Sequence, residues 1–452
     1  MGPPRSTMPK KSSQGQHTRD IKKEKKKPAQ APRRQVKPQT ESEETNQIDL
    51  SATIPVTLQQ LLLNVFRSAL LNDVYGGNAN VGKNKSGDVP TTPESRQLDI
   101  KTLIQTIKSH LYNRDFDSAF TDANEDLLRA YALRWSASRA LGYAGVFRSL
   151  LKVLMQQDGG LVSSTGSNHV VCIGGGAGAE IVALAAAWRD LVDEVEKGEA
   201  LSAGVTSVSL DGGEHAAAAD QGSVPESITH PALSVTAVDI ADWSSVVDRL
   251  SYTIRSPAVM GSKSHPAPLL NLGKGGGAGE KEGEDAAGFA VRFRRSDVLS
   301  ISEEQLKDLL HLENSDKGST TVMVTLMFTL NELFSTSMAK ATAFLLRTTD
   351  LVRPGTLLLV VDSPGSYSTL KLGKGKAQEG AASATVQERQ YPMKFLLDHT
   401  LLSVAEGKWE RIYSQDSRWW RRDAARLGYD VGEGAGLEDM RYQVHIYRRL
   451  AN

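Results

Sequence analysis

Apolar residues recur at helical spacing over Val56 to Asn72, where Leu58, Leu61, Leu62, Val65, Phe66 and Leu70 fall on one face. The same period returns over 97–113. It returns again over about 124–156, through Leu127, Leu128, Tyr131, Leu133, Leu141, Phe147, Leu150, Leu151 and Leu154. The first 160 residues therefore read as α-helical, with no strand. After Gly159-Gly160 the texture changes to short apolar runs alternating with amphipathic stretches. Strands are predicted at 169–173, 235–240, 290–293, 320–329 and 355–362, with two more near 408–413 and 441–448. Helices are predicted at 179–194, 242–251, 302–312 and 332–351. Such alternation implies an α/β fold with a mostly parallel, seven-stranded sheet covered on both faces.

Three stretches rich in Gly, Ser, Ala or Lys interrupt this pattern, at 198–232, 256–288 and 363–388, and read as flexible insertions. The middle one holds Gly273-Lys274-Gly275-Gly276-Gly277-Ala278-Gly279. It lacks the following Lys-Ser/Thr and the preceding strand of a phosphate loop. The expected organisation is a tail and linker over 1–50, a helical lead-in over 51–160 and one α/β domain over 161–452.

Charge changes the picture only when it is divided. The 452 residues carry 53 Lys+Arg and 53 Asp+Glu, a formal net charge of zero. Residues 1–38 hold 12 Lys/Arg against 2 Asp/Glu, so they carry +10 and the remainder carries −10. This segment has no aromatic residue and too few aliphatic ones to offset the cost of ordering, which predicts a disordered basic tail. Its run Lys22-Lys23-Glu24-Lys25-Lys26-Lys27 suits a nuclear or nucleolar address, or loose phosphate contact; a merely solubilising tail is the alternative. No apolar run reaches the ~18 residues of a membrane span, and no secretory signal is read at the N-terminus. The single cysteine, Cys172, allows no intrachain disulfide, and the nine histidines show no metal-ligand spacing. No metal and no membrane partner are expected.

The sharpest local feature is Cys172-Ile173-Gly174-Gly175-Gly176-Ala177-Gly178-Ala179-Glu180, where the first strand hands over to a helix. Glycine there permits a tight turn and close approach of a ligand to the backbone. The run fits G-x-G-x-G through Gly174, Gly176 and Gly178, the form of S-adenosylmethionine turns. It also fits the dinucleotide form G-x-G-x-x-A through Ala179, and a purely structural loop is the third reading. Asp239 closes the second strand, where an acid accepts bonds from ribose hydroxyls, unless it serves as a helix cap. Asp297 follows the third strand and either meets an adenine or pairs with Arg294 or Arg295. Asn331 and Glu332 follow the fourth strand and Asp362 ends the fifth. Carboxyl ends of strands line the ligand crevice in such sheets, although Asn331 could simply cap a helix.

Taken in order, Arg134-Trp135-Ser136-Ala137-Ser138-Arg139, the Gly174–Glu180 turn, Phe328–Phe334, Val361–Tyr367 and Trp419-Trp420-Arg421-Arg422 give the chain a resemblance to a family. It resembles the fungal large-subunit rRNA (uridine-N3) methyltransferases over roughly 50–450, apart from the three insertions. The resemblance implies a Rossmann-like methyltransferase sheet, S-adenosylmethionine as donor, and N3 of a uracil in ribosomal RNA or a pre-ribosomal particle as acceptor. It assigns Gly174, Gly176, Gly178 and Asp239 to the cofactor, with Asp297 and Asn331 as further candidates. An acid often stands two places before the first glycine. Here that place holds Cys172, so Glu180 is the substitute candidate.

Uracil N3 must lose a proton to become nucleophilic, so a base is sought, and Glu332 and Asp362 are the candidates. RNA contact is sought where basic and aromatic residues interleave. Arg134, Trp135 and Arg139 form one such set; Arg418, Trp419, Trp420, Arg421 and Arg422, with Lys408, Trp409 and Arg411 upstream, form another. The competing functions are methylation of a protein or small molecule, nicotinamide-dependent oxidoreduction, and a non-catalytic ribosome-assembly role. A last strand inserted antiparallel at 441–448 would favour a methyltransferase over a dehydrogenase.

Overall fold

A strand covered on both faces needs apolar side chains at nearly every position, and the chain supplies them. All six residues of β5 (Leu357–Asp362) are buried, as are seven of the eight in β4 (Thr320–Met327). The computed structural model describes residues 48–71, 98–156, 167–206, 232–270, 288–312, 320–371 and 388–451. The basic tail, the glycine run Gly273–Gly279 and the greater part of each insertion lie outside them.

With β1 (Ser167–Ile173), β2 (Ala232–Asp239), β3 (Phe289–Arg295), β8 (Trp409–Trp420) and β9 (Met440–Arg449), these strands form one sheet ordered β3-β2-β1-β4-β5-β9-β8. Strands β1 to β5 pair in parallel. The last strand, β9, enters antiparallel between β5 and β8, which is the arrangement that separates the methyltransferase reading from the dehydrogenase one. The order reverses between β1 and β4, so a crevice opens outside their carboxyl ends.

Alternate residues feed the two faces. Val170 and Cys172 of β1, with Leu357, Leu359 and Val361 of β5, join one core. It is shared with α1 (Val56–Leu71), α2 (Ile100–Tyr112), α3 (Glu125–Tyr131), α4 (Ala137–Gln156), α5 (Ala179–Thr206) and α6 (Ser244–Ile254). Val171, Ile173, Leu358 and Val360 join the other core, with α7 (Glu303–Leu309), α8 (Leu330–Thr336), α9 (Met338–Leu351) and α10 (Met393–Asp398). The lead-in helices thus pack on the sheet and share the core of α5 and α6.

Several expectations need correction. The first insertion begins helical, because α5 continues to Thr206. The second begins ordered: Leu269 and Leu270 are buried, and Arg189 donates to the carbonyls of Pro268 and Leu269. The third is bounded by a hairpin of β6 (Tyr367–Lys371) and β7 (Glu388–Pro392), which its polar sequence did not suggest. The helix expected over 332–351 breaks at Ser337, which is extended and caps α9 by accepting from the Lys340 N–H. The strand expected at 408–413 runs on to Trp420, with register shifts at Arg411/Tyr413 and Gln415/Arg418.

Candidate functional site

The glycine turn closes β1 and opens α5. Gly174 and Gly178 have φ of 76° and 81°, a region that side chains with a Cβ rarely adopt. Gly176 has a different constraint. A Cβ there would run into the Trp243 ring and come within 2.9 Å of the Asp239 Cβ. The Gly174 N–H donates to Val238 O (2.7 Å), which ties the turn to the end of β2.

Asp239 stands at that strand end. One carboxylate oxygen accepts from the Gly176 N–H (3.3 Å) and the other from the Ala241 N–H (3.2 Å). Burial raises its pKa, and these hydrogen bonds oppose the rise. It caps no helix, because α6 starts at Ser244 and Asp242 accepts the Ser244 N–H and hydroxyl. Asp297 is also free of the surface pairing considered for it. Arg294 bonds to Asp308 and Arg295 to the Ile240 carbonyl, while Asp297 accepts from Leu299 N–H (2.9 Å) and Ser300 Oγ (2.7 Å).

Glu180 lies in the first turn of α5 and is buried, with its Oε1 unpartnered among the described residues. Burial pushes its carboxyl up to about 8, against the pull of its own backbone N–H and of Arg139, while Asp239 adds to the rise. The Arg139 guanidinium donates to Tyr131 Oη (2.9 Å) and covers the Phe328 ring at 4.8 Å. Phe328 holds φ of 58° at the end of β4, a strained backbone of the kind that collects at functional sites. Arg139 therefore faces inward beside Glu180, a correction to its placement on an RNA-facing surface. Cys172 is fully buried in the core beneath this cluster. Sequence reasoning missed Tyr131, Trp243 and Phe328 as site residues. Their one signal was aromatic character within otherwise apolar helical or strand-end runs.

At the ends of β4 and β5 the three named residues separate by role. Asp362 is buried and accepts from Asn331 N–H (3.1 Å), Ser363 N–H (2.7 Å) and Ser366 Oγ (3.1 Å). It fastens α8 to the loop after β5, and burial raises its pKa against those bonds. Asn331 lies inside α8 and is not its cap, which is Thr329; its Oδ1 is buried without a partner among the described residues. Glu332 is exposed at the mouth of the crevice. Partial desolvation and then the Asp362 charge raise its pKa, while Arg114 lowers it.

The two basic-aromatic sets are thinned by folding. Arg134 is buried and bonds to Gly436 O and Glu438, so it offers no guanidinium to an outside partner. Trp135 is half-buried with its ring 4.9 Å from that of Tyr131. Trp409 is buried with Nε1 donating to Thr349 Oγ1 (2.9 Å), and Lys408 and Arg411 pair with Asp350 and Asp398. Arg418 donates to Leu50 O (2.5 Å) and Arg422 to Leu437 O, while Trp420 packs over Gly142. What remains outward is Trp419, 52% exposed, with Arg421 4.6 Å and Arg441 5.9 Å from its ring centre. Since β9 is antiparallel to both β5 and β8, the end of β8 lies at the same edge of the sheet as the crevice.

A family model described as "Putative SAM-dependent methyltransferase" matches residues 89–448 of the chain. The chain is 29% identical over 396 residues to the 25S rRNA (uridine(2843)-N(3))-methyltransferase of Saccharomyces cerevisiae, covering 86% of this chain and 85% of that one. Among solved structures it is similar to an O-methyltransferase family protein from Burkholderia thailandensis. That match has 12% identity, a TM-score of 0.30, and covers 86% of this chain and 83% of that one. It is also similar to a 16S rRNA (adenine(1408)-N(1))-methyltransferase from Catenulisporales acidiphilia, with 12% identity, a TM-score of 0.26 and coverage of 64% and 90%. At these scores the fold assignment rests on the strand order and register given above.

Proposed function

Because the chain belongs to the family of SAM-dependent methyltransferases over residues 89–448, we propose that it methylates N3 of a uridine in large-subunit ribosomal RNA. The observation that carries the acceptor is the 29% identity to the yeast uridine-N3 enzyme along nearly the whole of both chains. The crevice fits the cofactor on its own terms. A cradle that a Cβ would fill lies at Gly176, and two buried oxygens without partners among the described residues stand in the helices that follow β1 and β4, Glu180 Oε1 in α5 and Asn331 Oδ1 in α8.

Asp239 receives the ribose hydroxyls in this reading, and Asp297 the adenine amino group. Glu180 accepts from the α-ammonium group and Arg139, whose charge already acts on Glu180, binds the α-carboxylate. When bound, S-adenosylmethionine supplies a methyl group on a sulfonium, reactive without further activation. The chain has to hold the uracil in line and remove its N3 proton. Glu332 suits the proton transfer: it is exposed at the mouth, and its raised pKa makes it a better base than an ordinary carboxylate. Asp362 suits positioning, since three donors already occupy it. Glu332→Gln keeps the shape and removes the base. Its single-turnover rate is expected to fall roughly 100-fold or more, with cofactor affinity intact; an unchanged rate removes Glu332 from the mechanism.

Trp419 is the outward ring of the 418–422 segment, and Arg421, exposed although paired with Asp439, lies against it; the exposed ring supports contact with single-stranded RNA. The +10 tail supports a nuclear or nucleolar address; a fluorescent fusion lacking residues 1–38 that still accumulates there argues against it. The deciding experiment is mass mapping of modified uridines in rRNA from cells lacking the protein. One 3-methyluridine is expected to vanish and to return with the wild-type chain. A complete set of modifications in those cells refutes the acceptor assignment.

A further inference from the structure

Between α2 and α3 the chain makes a turn that presents three side chains outward. Tyr112 is 89% exposed and Phe116 41%, and Arg114 is exposed between them. Arg114 holds φ of 57°, the left-handed region usually left to glycine after a helix. The surroundings impose that conformation. The Arg114 N–H donates to Leu111 O (3.2 Å) and the Asp115 N–H to His110 O (2.9 Å). The Asp115 carboxylate bonds both His110 Nδ1 (3.2 Å) and the Ser118 N–H (3.1 Å). Glycine would satisfy this turn with less strain, so arginine stands here at a cost in stability.

The turn also leads directly to the crevice. A π turn, Asp117–Thr121, follows it, and the Phe120 ring lies 5.0 Å from Tyr131 and 6.2 Å from Trp243, the residue against Gly176. The Arg114 charge also lowers the pKa of Glu332, in the first turn of α8. No hydrogen bond or ion pair engages the Arg114 guanidinium among the described residues. An exposed cation with no hydrogen bond or ion pair among the described residues, on a turn with two exposed rings, matches a single-stranded RNA: phosphate for the arginine and base faces for the rings.

We propose that the Tyr112–Phe116 turn is the RNA clamp at the mouth of the active site. Arg114 holds a backbone phosphate next to the acceptor uridine, and Tyr112 and Phe116 stack on unpaired bases. This rests on the RNA reading above and deepens it. It assigns substrate positioning to the helical region, where the sequence shows a lone arginine rather than a basic run.

The test compares the full chain with Arg114→Gln, Arg114→Lys and Arg114→Gly, using a short fluorescent oligouridylate as the RNA probe. Gln and Gly are each expected to weaken binding about 3- to 10-fold and to reduce the slope of log affinity against log salt by about one. Lys is expected to keep the slope. S-adenosylmethionine affinity by calorimetry should be the same in all four proteins. Arg114→Gly is additionally expected to raise the melting temperature, since it relieves the turn, so weaker RNA binding cannot be ascribed to lost structure. Wild-type RNA affinity in Arg114→Gly overturns the clamp. Absence of oligouridylate binding by the wild-type chain overturns the RNA reading itself, and the two results are separable.

Discussion

Replacing Glu180 with glutamine is expected to weaken S-adenosylmethionine binding by roughly 100-fold, the order of losing one buried charge-assisted contact. The cause is specific to this chain, in which Cys172 stands where an acid is common and is sealed in the core. Glu180 is a buried acid at the turn on which the Arg139 charge acts, and it has an oxygen without a partner among the described residues. The same group makes a pH prediction. Its carboxyl sits at about 8 in the folded protein against an ordinary 4.5. Between those values the folded state keeps a proton that the unfolded chain has released, so stability of the free protein falls as pH rises from about 4.5 to about 8. Glu180→Gln should flatten that fall and melt higher than wild type at pH 8 to 9. A bound α-ammonium group favours the ionised carboxylate, so wild-type affinity should rise through the same range with release of a proton. Calorimetry in two buffers of different ionisation enthalpy measures this. Cofactor affinity that is independent of pH and unaltered in the variant would show that Glu180 is a structural acid only.

The second large effect is expected at Gly176. Alanine adds one carbon, and that carbon meets the Trp243 ring and Asp239. Either the turn or Asp239 must move, and the Gly176 N–H to Asp239 bond goes with it. Overpacking of this kind costs about 1–3 kcal/mol. The functional loss should exceed the loss in stability, because the displaced groups are those proposed to face the cofactor. We expect at least ~30-fold weaker S-adenosylmethionine binding and no detectable methyl transfer, in a chain that still folds. Gly198→Ala is the control: among the described residues nothing is found within 4 Å of its new carbon, and alanine is favoured in a helix. Gly176→Ala with wild-type binding would mean that the glycine run serves folding alone.

The elements were legible where the pattern was long or strongly apolar. Helix α1 and strands β4 and β5 match their expected spans closely, because burial on both sides leaves a continuous signal. The hairpin of β6 and β7 was not legible, since its strands are short and polar and depend on pairing with each other. The break at Ser337 was hidden as well, because one amphipathic pattern runs across both α8 and α9. The site was legible as places along the chain: the turn after β1 and the ends of β2, β4 and β5. The occupation of each side chain was not. Asp362 and Glu332 are both acids at strand ends, yet one accepts three donors in the core and the other stands at the mouth.

By itself the sequence determined the alternation of strands and helices, the glycine turn and the segregation of +10 onto a tail, since these depend on neighbours along the chain. Tertiary structure decided which charges are available. Arg134, Arg418 and Arg422 look like a nucleic-acid surface in one dimension, but they are bound to carbonyls and carboxylates of distant segments. Arg139 turns inward, where its charge acts on Glu180, and Arg114, inconspicuous in the sequence, is exposed with its charge acting on Glu332. The physical reason is that a buried guanidinium must find partners. Those partners come from residues tens to hundreds of positions away, which local pattern does not encode.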